Sequence, residues 1–229
     1  MKQNHRQIKP HRYHLAQQRS KYLVSFWSFL FRSFFLFVSW AGLSSSALAK
    51  GNDVKVAENR VITISNRILQ LLEKYKTQLV KNPASLTSLV QREILPFIDF
   101  DAMAKLTLGK HWRAATPQQR VRFTNAYKNM LVRTYAKRML EYAGATMRPK
   151  TSFANKRPGY VSVRAEVVPK NGAAIAANYE VRNKSGQWKA YNVEIAGINM
   201  VTNFRTNFTR EVSAKGLNSL ITRLERSGR

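Results

Sequence analysis

The amino-acid sequence predicts an α+β fold: an antiparallel sheet of three to four strands packed against a helical bundle. Three observations lead there. Apolar residues recur at helical spacing from Val61 to Tyr142, switch to alternation from Val161 to Ile195, and return to helical spacing after Gly197. Helices segregated from a continuous run of strands joined by short turns belong to that class rather than to alternating βα units.

Each element has its own signal. Residues 50–60 read as a polar, flexible leader. Ile64, Ile68, Leu71, Leu72 and Tyr75 mark the inner stripe of a helix over 61–80. Asn82-Pro83 ends it and opens a second helix over 84–94, since proline suits a first helical turn. Pro96 stops that one, and Asp99 is placed to cap a short helix over 100–108, closed by Gly109. Thr116-Pro117-Gln118-Gln119 has the form of a capping box. The long helix it opens carries Phe123, Tyr127, Met130, Leu131, Thr134, Tyr135 and Tyr142 on one stripe, opposite Arg122, Arg133 and Lys137. Gly144 ends it.

Period two follows. Val161, Val163, Ala165 and Val167 alternate with polar residues, and Pro169-Lys170-Asn171-Gly172 signals a turn. Ile175, Ala177, Tyr179 and Val181 alternate next, then the turn Asn183-Lys184-Ser185-Gly186, then a strand begun near Trp188 with Tyr191, Val193 and Ile195 alternating. Residues 146–154 can supply a further strand, and 198–214 and 217–226 read as helices.

The first 49 residues stand apart. Residues 1–21 carry six cations and no acid, an apolar run from Tyr22 to Leu43 is broken by Arg32, and Ala47-Leu48-Ala49 is a small-x-small exit. That order describes a secretory signal peptide cleaved after Ala49 and removed on export to the periplasm. Its long basic start equally fits a start codon placed too far upstream. Retention as a membrane anchor is the rival, and Arg32 at mid-span would be costly in lipid.

Residues 50–229 then form a single domain with room for two closely packed subdomains. Seven Lys and Arg leave with the leader, so the net charge of +27 falls to +20. The chain has no cysteine, which excludes disulfides, thiolate nucleophiles and cysteine–zinc sites. Of its four histidines, only His111 follows residue 49, so no multi-histidine metal site can form.

Little remains that could do covalent chemistry. Asp99 and Asp101 form a DxD, but Asp99 already has a sufficient role as helix cap and no other acid is nearby in sequence. His111 has no partner suggested by spacing. The cations are dispersed, without a zinc-finger, helix-turn-helix or glycine-aromatic pattern, so nucleic acid is not indicated. A solvated basic surface and attraction to anionic lipid or an acidic partner remain as alternatives. The aromatic stripe is either plain core or the wall of a cavity. Ala173-Ala174-Ile175-Ala176-Ala177, small residues opposite a bulky helix, would leave room for a ligand or permit close packing.

The residues also resemble a known family. Ile94-Leu95-Pro96, Asp99-Phe100, Met103-Ala104, Leu108-Gly109, Trp112, Ala115-Thr116-Pro117 and Gln119 are similar to the signature of MlaC-type, or toluene-tolerance, periplasmic phospholipid-binding proteins. The match continues through Arg133-Thr134-Tyr135, Trp188 to Val193, Gly197 to Val201, Asn203-Phe204-Arg205 and Gly216-Leu217. Asn192, Ala196 and Asn199 depart from it, where the family often has Asp, Glu and Ser.

The resemblance implies an apolar lipid cavity between sheet and helices and a non-enzymatic periplasmic carrier. Such a carrier shuttles glycerophospholipid between an outer-membrane lipoprotein–porin complex and an inner-membrane ABC transporter with its substrate-binding ring, maintaining outer-membrane lipid asymmetry. It implies no cofactor beyond the lipid cargo, no metal and a monomer. The expected cavity lining, one apolar face per element, is Met103, Leu106, Phe123, Tyr127, Leu131, Tyr135, Val163, Tyr179, Tyr191, Val193 and Met200. The other reading is a periplasmic adaptor with a solid core and a basic docking surface.

Overall fold

The computed structural model describes residues 41–227, with side chains from Gly51 onward. The leader assigned to 1–49 lies outside the described residues through position 40, and the expected cleavage point after Ala49 falls within the first helix. The chain divides into two units between Leu48 and Ala49. The description below concerns the second. Among the described residues, no helix is long and apolar enough to cross a membrane.

Of the six helices that precede the sheet among the described residues, five come first, with a 3-10 turn between the third and fourth. They are α1 (Ala41–Lys74), α2 (Lys76–Lys81), α3 (Pro83–Glu93), α4 (Phe100–Leu108) and α5 (Lys110–Ala114), with the 3-10 turn at Leu95–Phe97. The long α6 (Pro117–Met139) follows, and after the sheet come α7 (Met200–Lys215) and α8 (Leu217–Arg226). Residues 51–60 correct the sequence reading. They are helical rather than a loose leader, because Ala57 and Val61, four apart on one face, are fully buried against the sheet.

The capping chemistry appears where the sequence placed it. Asn82 accepts from the backbone N–H groups of Ala84 and Ser85 at the start of α3. Thr116 and Gln119 exchange reciprocal hydrogen bonds of 2.9 and 3.2 Å at the start of α6. Gly109 takes φ +55° between α4 and α5, a backbone region that a side chain would strain.

The sheet is open and antiparallel, ordered β1-β3-β4-β5-β6, with β2 beside β1 along the same edge of β3. Its long strands are β3 (Tyr160–Val168), β4 (Ile175–Lys184) and β5 (Gln187–Ile195). The edges are short: β1 (Thr146–Pro149), β2 (Phe153–Ala154) and β6 (Ile198–Asn199). Six strands exceed the expected three to four only through these short pieces. β4 begins at Ile175, leaving Ala173 and Ala174 as exposed loop, so of the small-residue run only Ala177 is buried on the inner face.

One irregularity redirects a side chain. Val181 stands opposite Ala190, but Glu180 stands opposite Asn192, which leaves Tyr191 as the extra residue of a β-bulge. Val193 and Ile195 keep the inner face, whereas the Tyr191 ring turns to the outer one, edge-on to Tyr160 at 5.7 Å.

Candidate functional site: an apolar interior in three joined clusters

The apolar interior divides into three clusters. The first sets Ala57, Val61 and Leu69 of α1 and Phe97 against Val161, Val163, Ala165, Tyr179 and Val181 of the sheet. The second is helical, with Met103, Leu108, Phe123, Tyr127, Leu131, Phe208 and Leu220 of α4, α6, α7 and α8. The third joins α1, α2, α3 and α6 through Ile68, Leu72, Leu79, Leu89 and Val132. Ile98 packs against the first and second clusters, and Ile64 against the first and third. These two isoleucines mark the seams.

The expected lining residues distribute over this plan. Met103, Phe123, Tyr127, Leu131 and Tyr135 gather in the helical cluster, and Val163, Tyr179 and Val193 in the sheet cluster. Met200 opens α7, where its backbone carbonyl accepts a hydrogen bond from the Tyr127 hydroxyl at 3.2 Å. Leu106 is 36% exposed, and its carbonyl receives the Arg205 guanidinium at 2.8 and 2.5 Å. Tyr191, on the outer face of the sheet, is separated from the other ten by the bulge.

Polar ties hold the clusters in place. Tyr127 stacks on Phe123 at 5.6 Å and meets Phe204 and Phe208 edge-on, while its hydroxyl also contacts Thr107 at 3.3 Å. Burial pushes its phenol well above the usual value, so it stays a neutral donor. Tyr179 is likewise raised by burial and hydrogen-bonds Ser65 of α1. Asn66 pins α1 to β1 through the Met147 N–H at 2.7 Å.

The strongest tie was not legible in the sequence. Asp99 caps α4 by accepting from the Ala102 N–H at 3.2 Å, and its own N–H donates to the Ala190 carbonyl of β5 at 2.8 Å. Its carboxylate, with 0% side-chain exposure, receives Arg182 of β4 at 2.7 and 2.5 Å and Lys184 at 3.4 Å. Burial alone would raise this carboxyl. The Arg182 hydrogen bond, the Ala102 N–H and the two positive charges outweigh it and hold the group below its ordinary value. The DxD is thus consumed by structure, with Asp101 exposed and 3.7 Å from Lys184.

Among the described residues, no group of three or more His, Asp or Glu side chains could hold a metal ion. His111 lies between α4 and α6 with Nε2 buried and without a hydrogen-bond partner. What the arrangement offers is an apolar interior packed in three clusters that meet along seams.

Two surface grooves border the interior. One, of about 450 Å³, is polar and uncharged, running along Asn199, Thr202, Asn203, Thr206 and Asn207 at the start of α7. The other, of about 190 Å³, lies between α1 and the 3-10 turn, lined by Arg60, Ile64, Arg67, Ile68, Glu93, Pro96 and Phe97.

The chain is similar to known proteins. The family model described as "MlaC protein" matches residues 63–226. The intermembrane phospholipid transport system binding protein MlaC of Haemophilus influenzae is 20% identical over 166 residues, 71% of this chain and 78% of that protein. The toluene tolerance protein ttg2D of Pseudomonas putida is 32% identical over 155 residues, 66% of this chain and 71% of that protein. A phospholipid-binding protein from Ralstonia solanacearum, solved in complex with a phospholipid, superposes with a TM-score of 0.68 at 26% identity, covering 75% of this chain and 96% of that one. The chain belongs to the MlaC family, a family of lipid-binding transport proteins.

Proposed function

We propose that this MlaC-family chain is a non-enzymatic carrier that moves glycerophospholipid across the periplasm. It would receive and deliver cargo at an outer-membrane lipoprotein–porin complex and an inner-membrane ABC transporter with its substrate-binding ring, maintaining outer-membrane lipid asymmetry. Export by the cleavable leader, and action as a monomer without cofactor, belong to the same reading.

The observation that carries it is the structural likeness to a protein solved with phospholipid bound, spanning 96% of that chain. Physical need agrees. Each acyl CH₂ left in water costs about 0.8 kcal/mol, so two chains of about sixteen carbons would cost on the order of 20 kcal/mol to expose. Transfer through water therefore requires a cover, and apolar clusters meeting along seams provide surface that can part around a chain.

The test is to purify the protein gently from cells expressing the full chain and weigh it intact by native mass spectrometry. A mass increment matching glycerophospholipid, identified after extraction, is expected. Bare polypeptide throughout would sink the reading.

A further inference from the structure

Resting on that carrier reading, we propose that the groove between α1 and the 3-10 turn seats the phosphodiester of the carried lipid, with Arg60 and Arg67 as its cationic contacts. The groove's wall is one face of α1. Arg60, Ile64, Arg67 and Ile68 stand at i, i+4, i+7 and i+8, so the two guanidinium groups flank an apolar step about two helical turns long.

The floor is what separates this groove from an ordinary basic patch. Ile68 belongs to the third apolar cluster, Phe97 to the first, and Ile64 packs against both. The depression thus opens on a seam of the interior, where an amphiphile held by its phosphate would have its acyl chains next to apolar side chains. Cationic contacts beside a seam of the apolar interior suit a phospholipid, whose phosphate lies next to its acyl chains.

Charge decides which end of an amphiphile the groove takes. Arg67 pairs with Glu93 at 3.0 Å, and Arg92 reaches the same carboxylate at 2.8 Å. Arg60 has no ion-pair partner among the described residues. The lining sets Arg60 and Arg67 against the single carboxylate of Glu93, and Arg92 outside the lining shares that carboxylate, so the balance is positive and the groove favours an anion over an ammonium. Guanidinium suits phosphate because its planar fork meets two oxygens at once. Size agrees as well: about 190 Å³ is below the roughly 300–1,000 Å³ of whole small-molecule sites, so only the polar end fits.

The experiment compares protein recovered from cells expressing the full chain with its Arg60→Gln/Arg67→Gln counterpart. Each is incubated with phosphatidylcholine vesicles doped with either phosphatidylglycerol or a diacylglycerol of the same acyl chains, and bound lipid is extracted and counted. Wild type is expected to take phosphatidylglycerol well above diacylglycerol. The double variant should lose about tenfold in phosphatidylglycerol loading, the scale of one charged hydrogen bond, with diacylglycerol loading unchanged. Equal phosphatidylglycerol loading in both proteins overturns the groove while leaving the carrier intact. So does an equal loss of both lipids, which would make the arginines supports of the fold. Wild type that takes no lipid from either vesicle, phosphatidylcholine included, overturns the carrier reading itself. Inorganic phosphate is titrated in parallel. Binding that disappears in the variant while phosphatidylglycerol loading persists would assign the arginines to free phosphate instead, also overturning the proposal.

Discussion

Asp99 performs three tasks with one side chain and one N–H: it caps α4, closes a bond to β5 and takes two cations from β4. Asp99→Asn keeps a competent cap but leaves Arg182, 27% exposed, without its carboxylate. Removing one member of a largely buried pair costs about 3 kcal/mol. The pH dependence has a definite sign. A carboxyl whose folded pKa is depressed adds stability that is fully present above its unfolded value near 3.9 and is lost as pH falls through the folded value. Urea unfolding followed from pH 7 down to pH 2 should show wild type losing stability below about pH 4, with the variant starting lower and losing less across that window. Parallel curves for the two proteins would mean that the pair does not govern acid unfolding.

At the scale of elements, α6 shows what the sequence discloses and what it withholds. Its start was legible because a capping box is local: Thr116, Pro117 and Gln119 satisfy one another within four residues. Its apolar stripe was legible for the same reason, since Phe123, Tyr127 and Leu131 need only the period of the helix. The bulge at Tyr191 was not, because an extra residue is defined only against the partner strand, and the alternation of Tyr191, Val193 and Ile195 read without it puts the tyrosine on the wrong face. Arg182 reaching Asp99 across 83 positions was equally hidden. Residues 51–60 misled differently: their polar surface is real, but the few apolar positions that seat the helix on the sheet are too sparse to announce it. For the same reason, the seven residues of the α1 groove reach together from two separate segments. Tyr127 then joins the elements, α6 to α4 through Thr107 and α6 to the first residue of α7 through the Met200 carbonyl. Tyr127→Phe preserves the ring contacts and removes both hydroxyl interactions, so a loss of about 1–2 kcal/mol is expected by thermal or urea unfolding. An unchanged midpoint would show that the ring alone carries the joint.

For the whole molecule the dominant quantity is charge. Residues 50–229 carry +20, and the acids among them are largely spent on ion pairs, as with Glu93, Glu166, Glu180, Glu211 and Glu225. The field projected into solvent is therefore set by surplus lysine and arginine on many faces rather than by one patch. A carrier with such a field approaches an anionic bilayer faster than a neutral one, and the advantage depends on how far the field reaches. That reach is about 10 Å at 0.1 M salt and about 3 Å at 1 M. Lipid transfer from vesicles rich in phosphatidylglycerol should thus slow several-fold on moving from about 0.05 M to about 0.5 M salt, whereas transfer from phosphatidylcholine vesicles should stay nearly constant, because apolar burial is indifferent to screening at this level. Stopped-flow transfer of a fluorescent phospholipid measures both rates. Equal salt dependence for the two vesicle types would move the slow step from collision with the bilayer to extraction of the lipid itself, and the excess charge would then have to act on something other than the membrane surface.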